Sequence, residues 1–266
     1  MRNKHSLKNQ IVAVTGASRG VGKQIAIDVA RFEGIPLLIA RSAEKLKEVQ
    51  QEIKDQTNIE APIYIGDIGN YEDVHRVFKN IDEKFPHIDV LINNAGFGIF
   101  DMFKDAKLKD IENMFQVNVF GMMYCTKQVL PKMIAQNKGH IINISSQAGK
   151  LATPKSSGYA ASKHAVLGFS NSLRLELKKT NIFVTTVNPG PMKTSFFEIA
   201  DQSGSYMKNI EKYMLSPAVV AREIVKTIEK PKREINLPKW MEAGSKLYQL
   251  MPSVVEKVAG QAFYKK

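Results

Sequence analysis

Short runs of apolar, β-branched residues alternate along the chain with longer stretches whose apolar positions recur at helical spacing. The runs are QIVAVT (10–15), IPLLIA (35–40), APIYIG (61–66), IDVLIN (88–93), GHIINIS (139–145), IFVTTVN (182–188) and REINLP (233–238). Between them lie amphipathic segments such as AEKLKEVQQEIKDQ and YEDVHRVFKNIDEKF. A strand that is apolar on both faces belongs in a parallel sheet covered by helices on each side. The alternation therefore predicts an α/β fold, a single doubly wound domain over 1–266 with a seven-stranded, mostly parallel sheet. Ligands of such sheets sit beyond the carboxyl ends of the strands, so those ends carry the chemistry.

Just past the first run comes TGASRGVG, with Gly16, Gly20 and Gly22 ahead of a helical stretch. Glycines permit a tight turn and close backbone approach to a phosphate, and a helix N-terminus adds N–H groups and positive potential. At the end of the second run an Asp or Glu would bind the adenosine ribose hydroxyls of NAD. Ala40 stands there instead, followed by Arg41, while Arg19 lies in the glycine turn. Two guanidinium groups and no carboxylate suit a ribose 2′-phosphate, which points to NADP(H). Further on, Tyr159 precedes Lys163 by one helical turn, which stacks the two side chains on one face.

Composition narrows the setting. One cysteine, Cys125, leaves no internal disulfide framework and fits a reducing compartment, and its apolar surroundings predict a buried thiol. The basic start MRNKHSLKNQ has no apolar h-region and no 18-residue apolar run exists, so the expected location is the cytoplasm. The net charge of +12 is spread along the chain, which excludes a dedicated nucleic-acid arm but favours anionic small molecules, acidic carriers or anionic lipid. The five histidines show no ligand spacing with Cys or carboxylates, so no metal is expected.

Taken together these residues resemble the short-chain dehydrogenases/reductases, over about residues 9–238. The likeness runs through TGASRGVG, Asp67 in GDI, NNAG (Asn93 to Gly96), Asn118 in VNVFG, Ser146 in NISSQAG, YAASK, and NPGPMKT (Asn188 to Thr194). It implies a Rossmann-type fold and a catalytic tetrad of Asn118, Ser146, Tyr159 and Lys163. The family's spacing of serine to tyrosine selects Ser146 over Ser145. It further implies cofactor contacts at Gly16, Ser18, Arg19, Gly20, Val21, Gly22, Arg41, Asp67, Ile68, Asn94, Ala95, Gly96, Pro189, Gly190, Met192 and Thr194, besides Tyr159 and Lys163. Met192 departs from the family, which usually has a β-branched residue there.

The chemistry follows from the residue types. Hydride transfer to a carbonyl needs a proton donor for the oxygen, and Tyr159 is the candidate. A free tyrosine titrates near pH 10, and closing the gap to neutrality takes roughly 4 kcal/mol of preference for tyrosinate. An ammonium one turn away supplies part of it. By resemblance Lys163 also holds the nicotinamide ribose, the Asn118 backbone carbonyl holds a proton-relaying water, and Thr194 with the backbone around Met192 binds the carboxamide. Ser146 would hydrogen-bond the substrate oxygen.

The segment 191–216 reads as a substrate lid, and its Phe196, Phe197, Tyr206, Met207, Tyr213 and Met214 predict a hydrophobic carbonyl or alcohol as substrate. An extension over 239–266 carries apolar residues at Trp240, Leu247, Met251, Val254, Val258 and Ala262 with Phe263 beside the last, and Pro252 opens its second helix. Packing onto protein is the expected use of that face, with capping of the site or peripheral membrane contact as alternatives. The resemblance implies a homodimer or homotetramer through helices at about 106–136 and 158–178. A 3-oxoacyl (carrier-protein or CoA) reductase and a non-catalytic NADP(H)-binding sensor or scaffold stand as the other functions.

Overall fold

Each apolar run becomes a strand of one sheet: β1 (Ile11–Thr15), β2 (Ile35–Ala40), β3 (Ile63–Ile65), β4 (Val90–Asn93), β5 (Gly139–Ile144), β6 (Ile182–Pro189) and β7 (Glu234–Leu237). The computed structural model describes residues 6–151, 153–201, 207 and 210–263, with residues 259–263 as helix only. The strand order is 3-2-1-4-5-6-7 and every neighbouring pair is parallel. Helices connect the strands: α1 (Gly20–Arg31), α2 (Ala43–Thr57), α3 (Tyr71–Asp82), α4 (Leu108–Phe115), α5 (Met122–Gln136), α6 (Ser157–Glu176), α7 (Phe196–Ala200) and α8 (Pro217–Glu229). Two more, α9 (Lys239–Leu250) and α10 (Pro252–Phe263), follow the last strand.

Alternation along β1 assigns the two faces. Val12 and Val14 join a core with α1, α2 and α8, whereas Ile11 and Ala13 join a second core with α3, α5 and α6. In α3, Val74, Val77, Phe78 and Ile81 make the buried stripe, and burying each contributes about 1.5–3 kcal/mol. Polar residues set the helix ends. Ser42 and Asn70 accept from the backbone N–H groups of Lys45 (3.4 Å) and Asp73 (3.0 Å), while Asn58 and Asn137 close α2 and α5 in the left-handed region (φ 59° and 49°).

Two expectations need correction at this level. The third strand was expected over 61–66 and is strand over Ile63–Ile65, with the Pro62 carbonyl accepting from Leu38 N–H (2.8 Å) and Gly66 N–H donating to the Ala40 carbonyl (3.1 Å) at its ends; Pro62 has no N–H to extend the ladder. The helix expected over 106–136 is α4 and α5 joined by a π-helical turn, Gln116–Gly121, which contains Asn118. Order reversal between β1 and β4 leaves a crevice at their carboxyl ends, where ligands of doubly wound sheets bind.

Candidate active site

β1 ends at Thr15 in the centre of the sheet, and the chain turns at once into α1. Gly16 (φ +66°) and Gly20 (φ +59°) take left-handed conformations that suit glycine. A Cβ built on Gly22 would lie 2.2 Å from the Gly16 carbonyl oxygen, so the turn closes backbone against backbone. Arg19 precedes the first helical turn and contributes no side-chain cap, which leaves the N–H groups of that turn to an outside acceptor. Thr15 ties this turn to the next strand end: its hydroxyl accepts from the N–H groups of Asn94 (3.0 Å) and Ala95 (3.1 Å). The Asn94 amide in turn donates to the carbonyls of Thr15 (2.9 Å) and Gly16 (3.3 Å).

Beyond β2 and β3 the rim is charged. Arg41 is exposed at the end of β2, and its Nη1 lies 3.6 Å from Oδ2 of Asp67. The sequence reading had no carboxylate beside the arginine; the structure corrects this, because the end of β3 lies next to the end of β2. The other Asp67 oxygen accepts from the Gly69 N–H at 2.9 Å. Ser42 and Lys45 also line this rim. Neither was singled out in the sequence, although ARSAEK marks Ser42 as a helix cap.

At the opposite end α6 presents Tyr159 and Lys163 to the cleft, both buried. Lys163 Nζ donates to the Ile144 carbonyl (2.9 Å) and stands 5.8 Å from the centre of the Tyr159 ring. Burial lowers the pKa of this ammonium from 10.5 to about 8. The Tyr159 ring lies among Phe100 and Phe196, each 5.7 Å away between centroids. Ser146 caps a short 3₁₀ turn (Gln147–Gly149); its hydroxyl accepts from Ala148 N–H (3.1 Å) and donates to the Pro189 carbonyl only at 3.5 Å. Ser145, by contrast, donates to the Lys163 backbone carbonyl at 3.0 Å and is buried.

Asn118 sits behind this group. Its amide accepts from the Phe97 N–H (3.0 Å) and donates to the Phe97 carbonyl (2.9 Å) and to Ser162 Oγ (3.0 Å). Ser162 donates to the Tyr159 carbonyl at 2.7 Å, so the π-helical turn is tied both to the NNAG loop and to α6. Thr15 and Ser162 lie inside TGASRGVG and YAASK but were given no role in the sequence reading. Thr194 lies over the start of α1, 3.5 Å from where a Cβ on Gly20 would stand, and Met192 bridges to Leu215. Cys125 is fully buried and burial pushes its thiol up to about 12, while His140, buried on β5, is pushed down to about 4. Neither lines the cleft.

The lid only partly matches its expected use. Phe196 and Phe197 line the cleft, but Met207, Tyr213 and Met214 do not; Tyr206 lies outside the described residues. Tyr213 stands against Trp240 instead (6.1 Å between centroids), because the extension returns across the mouth. Trp240, Met241, Gly244 and Ser245 of α9 line the cleft. Met241 packs so closely on Gly190 that a Cβ there would meet its sulfur at 2.7 Å. The extension's apolar face was expected to pack onto protein and is exposed in this chain, with Leu247 at 52%, Met251 at 49% and Val258 at 83%; the side chains of Ala262 and Phe263 lie outside the described residues.

The resulting cleft, about 810 Å³, runs from Arg41 and the glycine turn past Lys163 to the aromatic rings and α9. A backbone cradle at Gly16 and Gly22, an α1 start open to anions and a Cβ-free approach to Lys163 at Gly96 (3.5 Å) fit an extended dinucleotide. Among the described residues no group of three or more His, Cys, Asp or Glu could hold a metal ion.

Comparison with known proteins agrees with this geometry. The family described as short chain dehydrogenase matches residues 10–203. An uncharacterized oxidoreductase of Staphylococcus saprophyticus is 37% identical over 188 residues, which cover 71% of this chain and 80% of the relative. The closed form of a serine dehydrogenase, solved with NADP+, is 30% identical with a TM-score of 0.78, over 86% of this chain and 94% of that one. A short-chain dehydrogenase/reductase of Burkholderia phymatum, solved with NAD, shares the fold (TM-score 0.86, 21% identity, 94% and 96% covered). By the glycine turn, the parallel sheet and these matches, the chain belongs to the short-chain dehydrogenase/reductase family, oxidoreductases that act on CH–OH and C=O groups.

Proposed function

We propose that this oxidoreductase uses NADP(H) and transfers a hydride between the nicotinamide and the carbonyl or secondary alcohol of a hydrophobic small molecule. The observation that carries the reading is the placement of Tyr159 and Lys163, buried in the cleft with the Tyr159 ring among aromatic side chains. Arg19, Arg41 and Lys45 at the other end support a 2′-phosphate, since a guanidinium matches phosphate oxygens with paired hydrogen bonds. The NADP+ held by the 30%-identical serine dehydrogenase points the same way. Asp67 stands 3.6 Å from Arg41, an exposed and weak pairing that a dianionic phosphate would displace.

A nicotinamide cofactor held along Gly16, Gly22, Thr194 and Lys163 would supply or accept the hydride. Tyr159 gives its hydroxyl proton to the carbonyl oxygen during reduction and takes one back during oxidation. Lys163, held by the Ile144 carbonyl and still largely protonated at neutral pH, favours the tyrosinate. The 3.5 Å contact of Ser146 with Pro189 is at the outer limit of a hydrogen bond, so this hydroxyl is readily redirected to the substrate oxygen. Asn118 fixes the NNAG loop and α6 relative to each other.

Phe97, Phe100, Leu151, Phe196 and Met241 make the far end of the cleft apolar, which supports a hydrophobic substrate. A carrier-bound acyl substrate fits less well, because α9 stands across the mouth. We read the chain as one unit with a core over about 9–238, a lid over 191–216 and an extension over 239–266. Exposed Leu108, Phe120 and Leu175 on α4, the π-helical turn and α6 support a homodimer or homotetramer. A cytoplasmic location rests on the lone buried thiol.

The test follows NADPH and NADH oxidation with a panel of hydrophobic aldehydes and ketones, for the wild type and Tyr159→Phe. The expected result is a preference for NADPH and a loss of about 10³-fold in rate in the variant, with NADPH binding retained. A preference for NADH would remove the arginine argument. Undiminished turnover by Tyr159→Phe would remove the catalytic one.

A further inference from the structure

The C-terminal extension has two faces. Toward the body, Met241 and Ser245 line the cleft, and Ser245 is only 2% exposed. Toward solvent, Leu247 and Leu250 on α9, Met251 at the joint, and Val254 and Val258 on α10 are each exposed by about half or more. Trp240, one heptad ahead of Leu247, is exposed as well. Large apolar side chains left this exposed in succession are costly in water and mark an interaction surface.

Charge identifies what covers it. Lys239, Lys246 and Lys257 each come immediately before one of these residues (Trp240, Leu247, Val258), so one helical step places a lysine on the same flank each time. All three are exposed. On the polar side, Glu242 is neutralised by Lys246 at 2.8 Å and Glu256 is engaged by the Tyr248 hydroxyl at 3.0 Å. Lys265 and Lys266 follow in the sequence, and the whole chain carries +12. An apolar face edged with lysines lies at an anionic lipid interface, the apolar residues entering the acyl boundary and the ammonium groups reaching back to headgroup phosphates. A second copy of the chain would bring the same lysines and the same positive field to the contact.

We infer that α9 and α10 dock this protein on an anionic phospholipid surface, through Leu247, Leu250, Met251, Val254 and Val258. Because Trp240 belongs both to the exposed face and to the cleft lining, docking sets the mouth of the cleft against the membrane, where a lipid-soluble carbonyl compound enters without crossing water. That delivery step rests on the oxidoreductase reading above; the docking itself does not.

Co-sedimentation of the full chain with vesicles of phosphatidylcholine containing about 30% phosphatidylglycerol, and with phosphatidylcholine alone, tests it. Binding to the anionic vesicles is expected, weakened by added salt and by the pair Lys239→Ala/Lys257→Ala. The pair Leu250→Ser/Val258→Ser is expected to lower partitioning at least about tenfold. These two residues touch no part of the cleft, so turnover of a water-soluble ketone stays unchanged and reports on the catalytic reading separately. Wild-type protein that stays in the supernatant, or a serine pair that binds as well as wild type, overturns the inference. A serine pair that instead turns dimers into monomers in sedimentation velocity, with no vesicle binding by the wild type, assigns the face to a second copy and overturns it too.

Discussion

The two ends of the cleft are built differently. At the glycine-turn end the backbone makes the contacts: Gly22 closes on the Gly16 carbonyl, and the N–H groups of Asn94 and Ala95 donate to the Thr15 hydroxyl. All of these residues lie on or just beyond two adjacent parallel strands, β1 and β4. At the aromatic end, side chains meet side chains, and they come from four separate parts of the chain: Phe100, Tyr159, Phe196 and Trp240. The first arrangement has almost no freedom to vary, because a peptide group cannot be exchanged for another. The second keeps its shape while its lining changes, as suits the part of a family's cleft that meets different substrates.

Substitutions at the two ends should break this contrast to different degrees. The largest effect is expected from Gly22→Ala, where the added methyl collides with the Gly16 carbonyl at 2.2 Å. Forcing the turn open should destabilise the chain by about 1–3 kcal/mol or more. It should also abolish NADPH binding, which thermal melts with and without cofactor would show. A melt that is unchanged would mean the turn yields easily.

Lys163→Met sharpens the contrast between stability and function. Holding this ammonium at about 8 rather than 10.5 corresponds to a burial cost on the order of 3 kcal/mol when it is protonated. Between those two values the unfolded chain keeps a proton that the folded one has released, so folded stability rises with pH there. Below about 8 both states are protonated and the cost is present in full. The methionine variant, without cofactor, is therefore expected to melt a few degrees higher than wild type at pH 7, by about 1–3 kcal/mol. The gap should close toward pH 10.5, while turnover is lost at every pH. A lower melt at pH 7 would mean that the bond to Ile144 outweighs desolvation.

The smallest effect belongs to the aromatic end. Trp240→Ala removes a side chain that is 59% exposed, so stability should change by less than about 0.5 kcal/mol. KM for bulky ketones should rise severalfold while KM for small ones and for NADPH holds. Equal changes for all substrates would place Trp240 outside the substrate path.

Part of each end was legible in the sequence. The TGASRGVG turn sits where strand periodicity gives way to helix periodicity, and Tyr159 and Lys163 share a helix face by spacing alone. The pairing of Asp67 with Arg41 was not legible, because strand adjacency and not sequence distance brings them together. Thr15 and Ser162 act through hydrogen bonds across chain separations, and a hydroxyl's partner leaves no mark on the local pattern. In the lid, Tyr213 and Phe196 are the same kind of residue to a periodicity argument; α9 draws one away and leaves the other in the cleft.

By itself the sequence determined the parallel sheet, the glycine turn and the helix face shared by Tyr159 and Lys163, since apolar period, glycine spacing and one helical turn are local properties of the chain. Only the tertiary structure decided that α9 walls the cleft while α9 and α10 leave apolar residues in solvent. An amphipathic pattern states that a face is apolar and does not say against what it will lie, because burial depends on the surfaces that the rest of the fold has left uncovered.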